Sequence, residues 1–239
     1  FGGASVKDAE AVKNVAAILK NYDGNIIVVV SAMGKTTNAL EKLTKAYFYE
    51  EGDVKTILSE IKDFHFDLLK KLFPDESHKI YSEVNNAFVE IEWIIEEPPI
   101  KDYDFEYDQV VSMGELLSTK IVSAWLNEAG VNNKWVDVRD FLKTDNTYRE
   151  AKVDWELTGE HIKESFANQE RIIVTQGFIG VTSENYTTTL GREGSDYTAA
   201  IIAYLTDAEE VVIWKDVPGV LNADPKWFKD TQKLNEISY

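Results

Sequence analysis

Cysteine is missing altogether from this chain of 239 residues, which excludes disulfides and cysteine metal sites and fits an intracellular, cytoplasmic enzyme. Histidine is scarce. His65, His78 and His161 each lie in a charged helical stretch, none beside another, so all three read as surface residues and no histidine metal site is expected. No apolar run approaches the ~20 residues that a membrane span needs, and no signal peptide is visible. Positive charge is also in short supply, with 25 Lys and Arg against 42 Asp and Glu and a net charge of −17. Such a chain repels polyanions, so neither nucleic acid nor an anionic membrane is expected as a partner.

What remains is ordinary for a globular enzyme: 44% hydrophobic residues and 28% charged ones, in a length suited to one large domain. Asn25 to Ser31 and Ile172 to Gln176 are continuous, largely β-branched runs of the kind found in strands buried on both faces. Further strands are expected at Lys134 to Val138 and Glu210 to Trp214. Val6, Ala9, Val12, Ala16 and Leu19 recur at helical spacing behind a capping-box-like pair, Ser5 and Asp8, so a helix is expected directly after Gly2-Gly3. A second helix follows from about Thr37. Residues 53–97 carry two amphipathic helices split by Pro74-Asp75, with stripes Ile57, Ile61, Phe64, Leu68, Leu72 and Ile80, Val84, Ala87, Ile91, Ile94. An acidic, tyrosine-containing segment (Lys101 to Asp108) leads into a helix carrying Glu115, and Thr144 to Glu160 reads as a loop or lid. Strands alternating with helices give the α/β class, with a mainly parallel sheet covered on both sides. In such sheets ligands sit beyond the carboxyl ends of the strands, which groups the segments after Ser31, Gln176 and Trp214.

The densest chemistry lies in Thr187-Thr-Thr-Leu-Gly-Arg-Glu-Gly-Ser-Asp-Tyr197, just ahead of an apolar helical run. Gly191 and Gly194 let backbone N–H groups approach a ligand, Arg192 offers a planar fork to a carboxylate or phosphate, and Ser195 and Asp196 fall where a helix begins. Gly34-Lys35-Thr36 has the ending of a P-loop, but the residue where that motif needs its first glycine is Val29, inside a strand, so no phosphate-wrapping loop can form. A Rossmann fingerprint is absent too. Glu115, on an otherwise apolar helix face, is costly to bury without a partner and so points to a ligand.

Five blocks in this order, Phe1-Gly2-Gly3-Ala4-Ser5-Val6, Ser31-Ala-Met-Gly-Lys-Thr-Thr-Asn38, Ser112-Met-Gly-Glu-Leu-Leu-Ser-Thr119, the glycine loop, and Trp214-Lys-Asp-Val-Pro-Gly219 with Asn222-Ala-Asp-Pro-Lys226, resemble the aspartokinases of the amino acid kinase family. The resemblance spans the whole chain. It implies a three-layer αβα sandwich of the carbamate kinase-like type, with residues 1–239 forming a kinase domain incomplete at both ends, a helical insert at about 53–97, and no regulatory ACT domains in this chain. It also implies a homo-oligomer in the full-length protein. The implied reaction is phosphorylation of the side-chain carboxylate of L-aspartate by ATP with Mg²⁺, giving 4-phospho-L-aspartate on the way to lysine, threonine and methionine.

Residue by residue, the resemblance implies that Gly2 and Gly3 offer N–H groups to the transferring phosphoryl and that Ser31 lies near the reacting groups. Arg192 would grip the α-carboxylate of aspartate and Glu115 its α-ammonium, with hydroxyls from Thr37 and Ser195. Asp196 would orient the cations around the γ-phosphate. Lys215, Asp216, Pro218, Gly219 and Leu221 would meet the nucleotide and Lys226 its phosphates, while Lys35 is a further candidate cation. Lys215 and Leu221 stand where the family often has threonine and tyrosine. Glu193 replaces a commoner glycine, and its side chain is expected to point to solvent. The family's motif opens with a lysine directly ahead of the Phe-Gly-Gly block, so little phosphoryl transfer is expected without that residue. Two alternatives stay open: another amino acid kinase, acting on a glutamate derivative, a carbamate or a nucleotide, and a binding fragment without turnover.

Overall fold

The computed structural model describes residues 1–166, 171–217 and 219–237. Three parallel strands form the central sheet: β1 (Ile26–Val30), β2 (Lys134–Trp135) and β3 (Ile172–Gln176), with β3 in the middle. The β1–β3 register pairs Ile26 with Ile172 and Val30 with Gln176, so both strands end at the same edge of the sheet. Every residue of β3 is buried, the apolar Ile172 to Val174 and the polar Thr175 and Gln176 alike. A short antiparallel pair, β4 (Ile179–Val181) and β5 (Thr187–Thr189), stands beside that edge.

Helix α6 (Met113–Glu128) packs on all three strands of the sheet and carries α1 (Ala9–Leu19), while α8 (Gly194–Thr206) packs on β1 and β4 and carries α7 (Trp155–Phe166). Between them in sequence come α2 (Thr36–Phe48), α3 (Val54–Leu72), α4 (Lys79–Glu96) and α5 (Tyr103–Val111), which pack on one another and on α6. The expected α/β class, a mainly parallel sheet between helical layers, is what the structure shows.

Local expectations fare unevenly. The first helix does not start at the glycine pair: a 3₁₀ turn over Gly3–Val6 intervenes, and Asp8, not Ser5, caps α1 by accepting the N–H of Ala11 at 2.8 Å. On α3 the buried stripe passes through His65, which is fully enclosed, while Phe64 is 38% exposed. The helix tolerates this because His65 Nδ1 lies 2.8 Å from the Ile61 carbonyl, one turn back, and burial pushes its pKa down to about 4, keeping it neutral. The acidic segment 101–108 is itself largely helical. Asp102 caps it at the Phe105 N–H, and it becomes α5, joined to α6 at Ser112. The expected lid shortens likewise, since residues from Trp155 onward belong to α7. The strand expected at 134–138 stops after Trp135 and gives way to a 3₁₀ turn at Val138–Asp140. No strand forms over Glu210 to Trp214: a strand needs a ladder of backbone hydrogen bonds, and among the described residues the single backbone bond from the rest of the chain to this run is that of the Gly2 N–H to the Trp214 carbonyl. None of the described helices is long and apolar enough to cross a membrane.

Candidate active site

The cleft, about 930 Å³, opens at the carboxyl edge of the sheet and is walled by the 1–4 segment, the turn after β1, α6, the loop before α7 and the start of α8. Close backbone packing builds it. Gly3 sits so near the turn after β1 that a Cβ would come within 2.8 Å of the Ala32 carbonyl, and its own carbonyl accepts the Gly34 N–H at 3.0 Å. At the end of β3, a Cβ on Gly177 would lie 2.7 Å from Ser195 Cα. That approach brings α8 onto the strand ends and lets Ser31 Oγ donate to Ser195 Oγ at 2.9 Å. Residues distant in sequence meet here because β1 and β3 end in register.

Of the residues anticipated from the sequence, Gly2, Gly3, Ser31, Thr37, Glu115, Arg192, Ser195, Asp196, Lys215 and Asp216 all line this one cleft. Their states differ. Glu115, in the first turn of α6, is 2% exposed; its Oε1 accepts only the Ala32 N–H at 3.2 Å, and its Oε2 has no partner among the described residues. Burial with so little compensation raises its pKa to about 8. Lys215 Nζ is held at 2.6 Å by Asp196 and at 2.9 Å by Glu193, and these contacts raise its pKa. Arg149, a further cation of the cleft, is paired with Asp104 at 3.1 Å and lies 4.5 Å over the Tyr107 ring. Arg192 alone among the cleft's cations carries no ion pair among the described residues. The cleft therefore presents an unpartnered carboxylate and an uncommitted guanidinium, the complement of a zwitterion.

Several anticipated roles shift. The Gly2 N–H donates to the Trp214 carbonyl at 3.2 Å, so of the glycine pair only Gly3 has an N–H without an acceptor among the described residues. Glu193 is 63% exposed, as expected, but it pairs with Lys215 and occupies a left-handed conformation, φ 58°, a backbone that suits glycine better. Lys35, Leu221 and Lys226 are not among the lining residues. Leu221 bridges to Lys233, Lys226 stands exposed on a turn made by Asp224, and Lys35 starts α2 with its side chain exposed. Pro218 lies outside the described residues.

Tyr107 and Phe178, not anticipated from the sequence, line the cleft too, together with Thr189 from the glycine-loop stretch and residues 147–150 from the segment expected as loop or lid. Phe178 was within reach: it lies two residues past the end of the buried strand β3, where ligands of such sheets sit. Its neighbour Gln176 turns inward instead, accepting the Val138 N–H and donating to Thr119.

Comparison with known proteins gives a consistent picture. The model of the amino acid kinase family matches residues 1–239. Lysine-sensitive aspartokinase 3 of Escherichia coli (strain K12) is 34% identical over 100% of this chain and 53% of its own length. The aspartokinase of Chlamydia trachomatis is 30% identical over 100% of the chain and 53% of its length, so the chain spans about half of these curated relatives. Among solved structures, E. coli aspartokinase III with aspartate and ADP (R-state) superposes with a TM-score of 0.88 at 33% identity, over 98% of this chain and 52% of that one. The aspartate kinase of Clostridium acetobutylicum, 23% identical with a TM-score of 0.77, shares the fold.

Proposed function

The chain belongs to the amino acid kinase family, and on that premise we propose that it phosphorylates the side-chain carboxylate of L-aspartate at the expense of ATP. The observation that carries the reading is Glu115, a buried carboxylate with a free oxygen, in the same cleft as the uncommitted Arg192. An α-amino acid brings the two charges that these groups lack. Its ammonium would draw the Glu115 proton away and turn a costly buried acid into an ion pair. Arg192 would take the α-carboxylate by two parallel hydrogen bonds. Relatives solved with aspartate and ADP support both substrates.

The acceptor then needs only to be held in line. A side-chain carboxylate is ionised at neutral pH, so its oxygen attacks the γ-phosphorus without a general base. The bond from phosphorus to the bridging oxygen breaks, and ADP leaves with the electron pair. Ser31, Ser195 and Thr37 supply hydroxyls along the acceptor. Lys215, set by Asp196 and Glu193, and the Gly3 N–H offset charge on the phosphoryl oxygens, the kind of pre-set electrostatic support that lowers the barrier. Asp196 and Asp216 are hard oxygen donors suited to Mg²⁺. Among the described residues no group of three or more His, Cys, Asp or Glu could hold an ion alone; Asp196 and Asp216 would help to hold Mg²⁺ arriving on the nucleotide, and the ion would supply charge neutralisation there.

Glu115 also separates this reading from other amino acid kinases, since a carboxylate there suits a free amino group and repels acylated or phosphorylated acceptors. Hydroxylamine trapping of the acyl phosphate formed by the full-length protein tests it. Product with L-aspartate and none with N-acetylglutamate is expected; the reverse would sink the assignment.

A further inference from the structure

Asp108, on α5, is fully buried and lies outside the cleft lining, yet it joins two of the cleft's walls. Its Oδ2 accepts the Arg149 N–H at 2.9 Å and the Thr189 N–H at 2.8 Å, and its Oδ1 accepts the Thr189 hydroxyl at 2.7 Å. The next residue, Gln109, holds Thr187 by both its backbone groups, at 2.8 and 3.2 Å. Helix α5 therefore seizes β5 along its length with two consecutive side chains.

The Arg149 bond matters most. Arg149 sits at φ 67°, a left-handed conformation that a non-glycine residue keeps only when its surroundings impose it. Its carbonyl lies 3.2 Å from the point a Cβ on Gly191 would occupy, so the loop bearing Arg192 rests directly on it. Ala151 closes the joint by donating to the Thr189 carbonyl at 3.0 Å.

We propose that Asp108 is a positioning residue for the acceptor: by fixing the Arg149 backbone and Thr189 it sets where the Arg192 loop stands. This rests on the proposed reaction, with Arg192 gripping the amino acid. The role is one of hydrogen bonding and not of charge. An asparagine can reproduce it, its oxygen accepting both N–H groups and its amide donating to the Thr189 hydroxyl. Burial raises the Asp108 pKa to about 7, which accords with a site that tolerates a proton on that carboxyl.

Steady-state kinetics of the full-length protein test this with both substrates varied. Asp108→Ala should raise KM for aspartate roughly tenfold or more, as expected for lost hydrogen bonds to a buried site, while KM for ATP stays within about twofold. Asp108→Asn should recover most of that loss. An Asp108→Ala enzyme with unchanged aspartate KM overturns the proposal, and so does an Asn variant as damaged as the Ala one, since that would make the charge the active feature. If Asp108→Ala does not fold, Thr189→Val, which removes the hydroxyl at nearly constant shape, should raise aspartate KM roughly three- to tenfold; no change there also overturns it. A wild-type protein inactive toward aspartate refutes the reaction itself, a result distinct from any of these.

Discussion

In and behind the wall of the cleft that the proposed reading gives to the acceptor, Glu115, Asp108 and Thr189 are at most 2% exposed, and backbone N–H groups from three separate segments, at Ala32, Arg149 and Thr189, tie the Glu115 and Asp108 carboxyls, leaving only Glu115 Oε2 free among the described residues. In the segment from Trp214 onward, which the proposed reading gives to the nucleotide, Trp214 is 36% exposed, Val217 57%, Val220 60% and Trp227 82%. Among the described residues the polar and aromatic ties of that segment to the rest are the hydrogen bonds of the Trp214 carbonyl with Gly2 and Ser5, the stack of Phe1 on Trp214 at 5.9 Å, and Lys215 with its two acids. The contrast shows which half of the geometry the chain's own burial imposes. Buried, cross-linked groups hold position whether or not a ligand is present; exposed apolar groups gain nothing from the hydrophobic effect, so their placement depends on a few directional contacts. Substitutions should therefore act strongly on the acceptor side and weakly beyond Trp214.

The largest effect is expected at Glu115. In Glu115→Gln the bound ammonium loses its buried counter-charge, and KM for aspartate should rise on the order of 10²-fold or more. Stability of the ligand-free protein should move the other way. Folding raises the Glu115 pKa from 4.5 to about 8, so the folded state prefers the protonated form; the stability is fully present below about 4.5, falls as pH rises from there and is lost by the time pH has passed through about 8. Near about pH 9 the glutamine variant should melt above wild type, and near about pH 5 the two should coincide. Aspartate binding to wild type below pH 8 should also release a proton, detectable by calorimetry in buffers of different ionisation enthalpy. A variant equal to wild type in both affinity and pH profile would remove Glu115 from the acceptor half.

Much of the acceptor half could be read from the chain, because each of its chemical groups announces itself locally. A lone acid on an apolar helix face, an arginine between two glycines and a serine at a helix start are visible without a fold, and the uninterrupted runs 26–30 and 172–176 supply the parallel strands that bring them together. What stayed hidden depends on contacts between remote segments. Nothing near Asp108 in sequence says that it will meet Arg149 and Thr189. Periodicity also blurs neighbours: Phe64 and His65 differ by one step around α3, and hydrophobicity favours the one that the packing leaves exposed. The run Val211-Val-Ile-Trp214 has the composition of a strand, but composition cannot supply a pairing partner.

A smaller but still clear loss is expected for Arg192→Lys. Lysine keeps the charge but cannot make two parallel hydrogen bonds to a carboxylate. KM for aspartate should rise roughly ten- to a hundredfold, with KM for ATP nearly constant, because the grip is similar in ground and transition states. The reverse pattern in the kinetics would move Arg192 to the nucleotide side and blur the division between the halves.

The smallest effect, and the sharpest test of the contrast, is expected at Lys226. The resemblance to aspartokinases gives it a role at the ATP phosphates, whereas the structure leaves it off the cleft and exposed, its backbone N–H donating to Asp224 at 2.8 Å and its ammonium in no ion pair among the described residues. Alanine preserves that backbone bond and removes a solvated ammonium, a change usually worth no more than about 0.5 kcal/mol. At physiological ionic strength a charge beyond about 8 Å is largely screened, so long-range attraction for the nucleotide adds little. Lys226→Ala should thus leave the melting temperature unchanged and shift KM for ATP by less than about threefold. A rise of about tenfold or more, the value of a charge-assisted hydrogen bond, would mean that the segment after Trp214 folds over the phosphates when nucleotide binds. The nucleotide half would then be assembled by its ligand, in contrast to an acceptor half assembled by the chain.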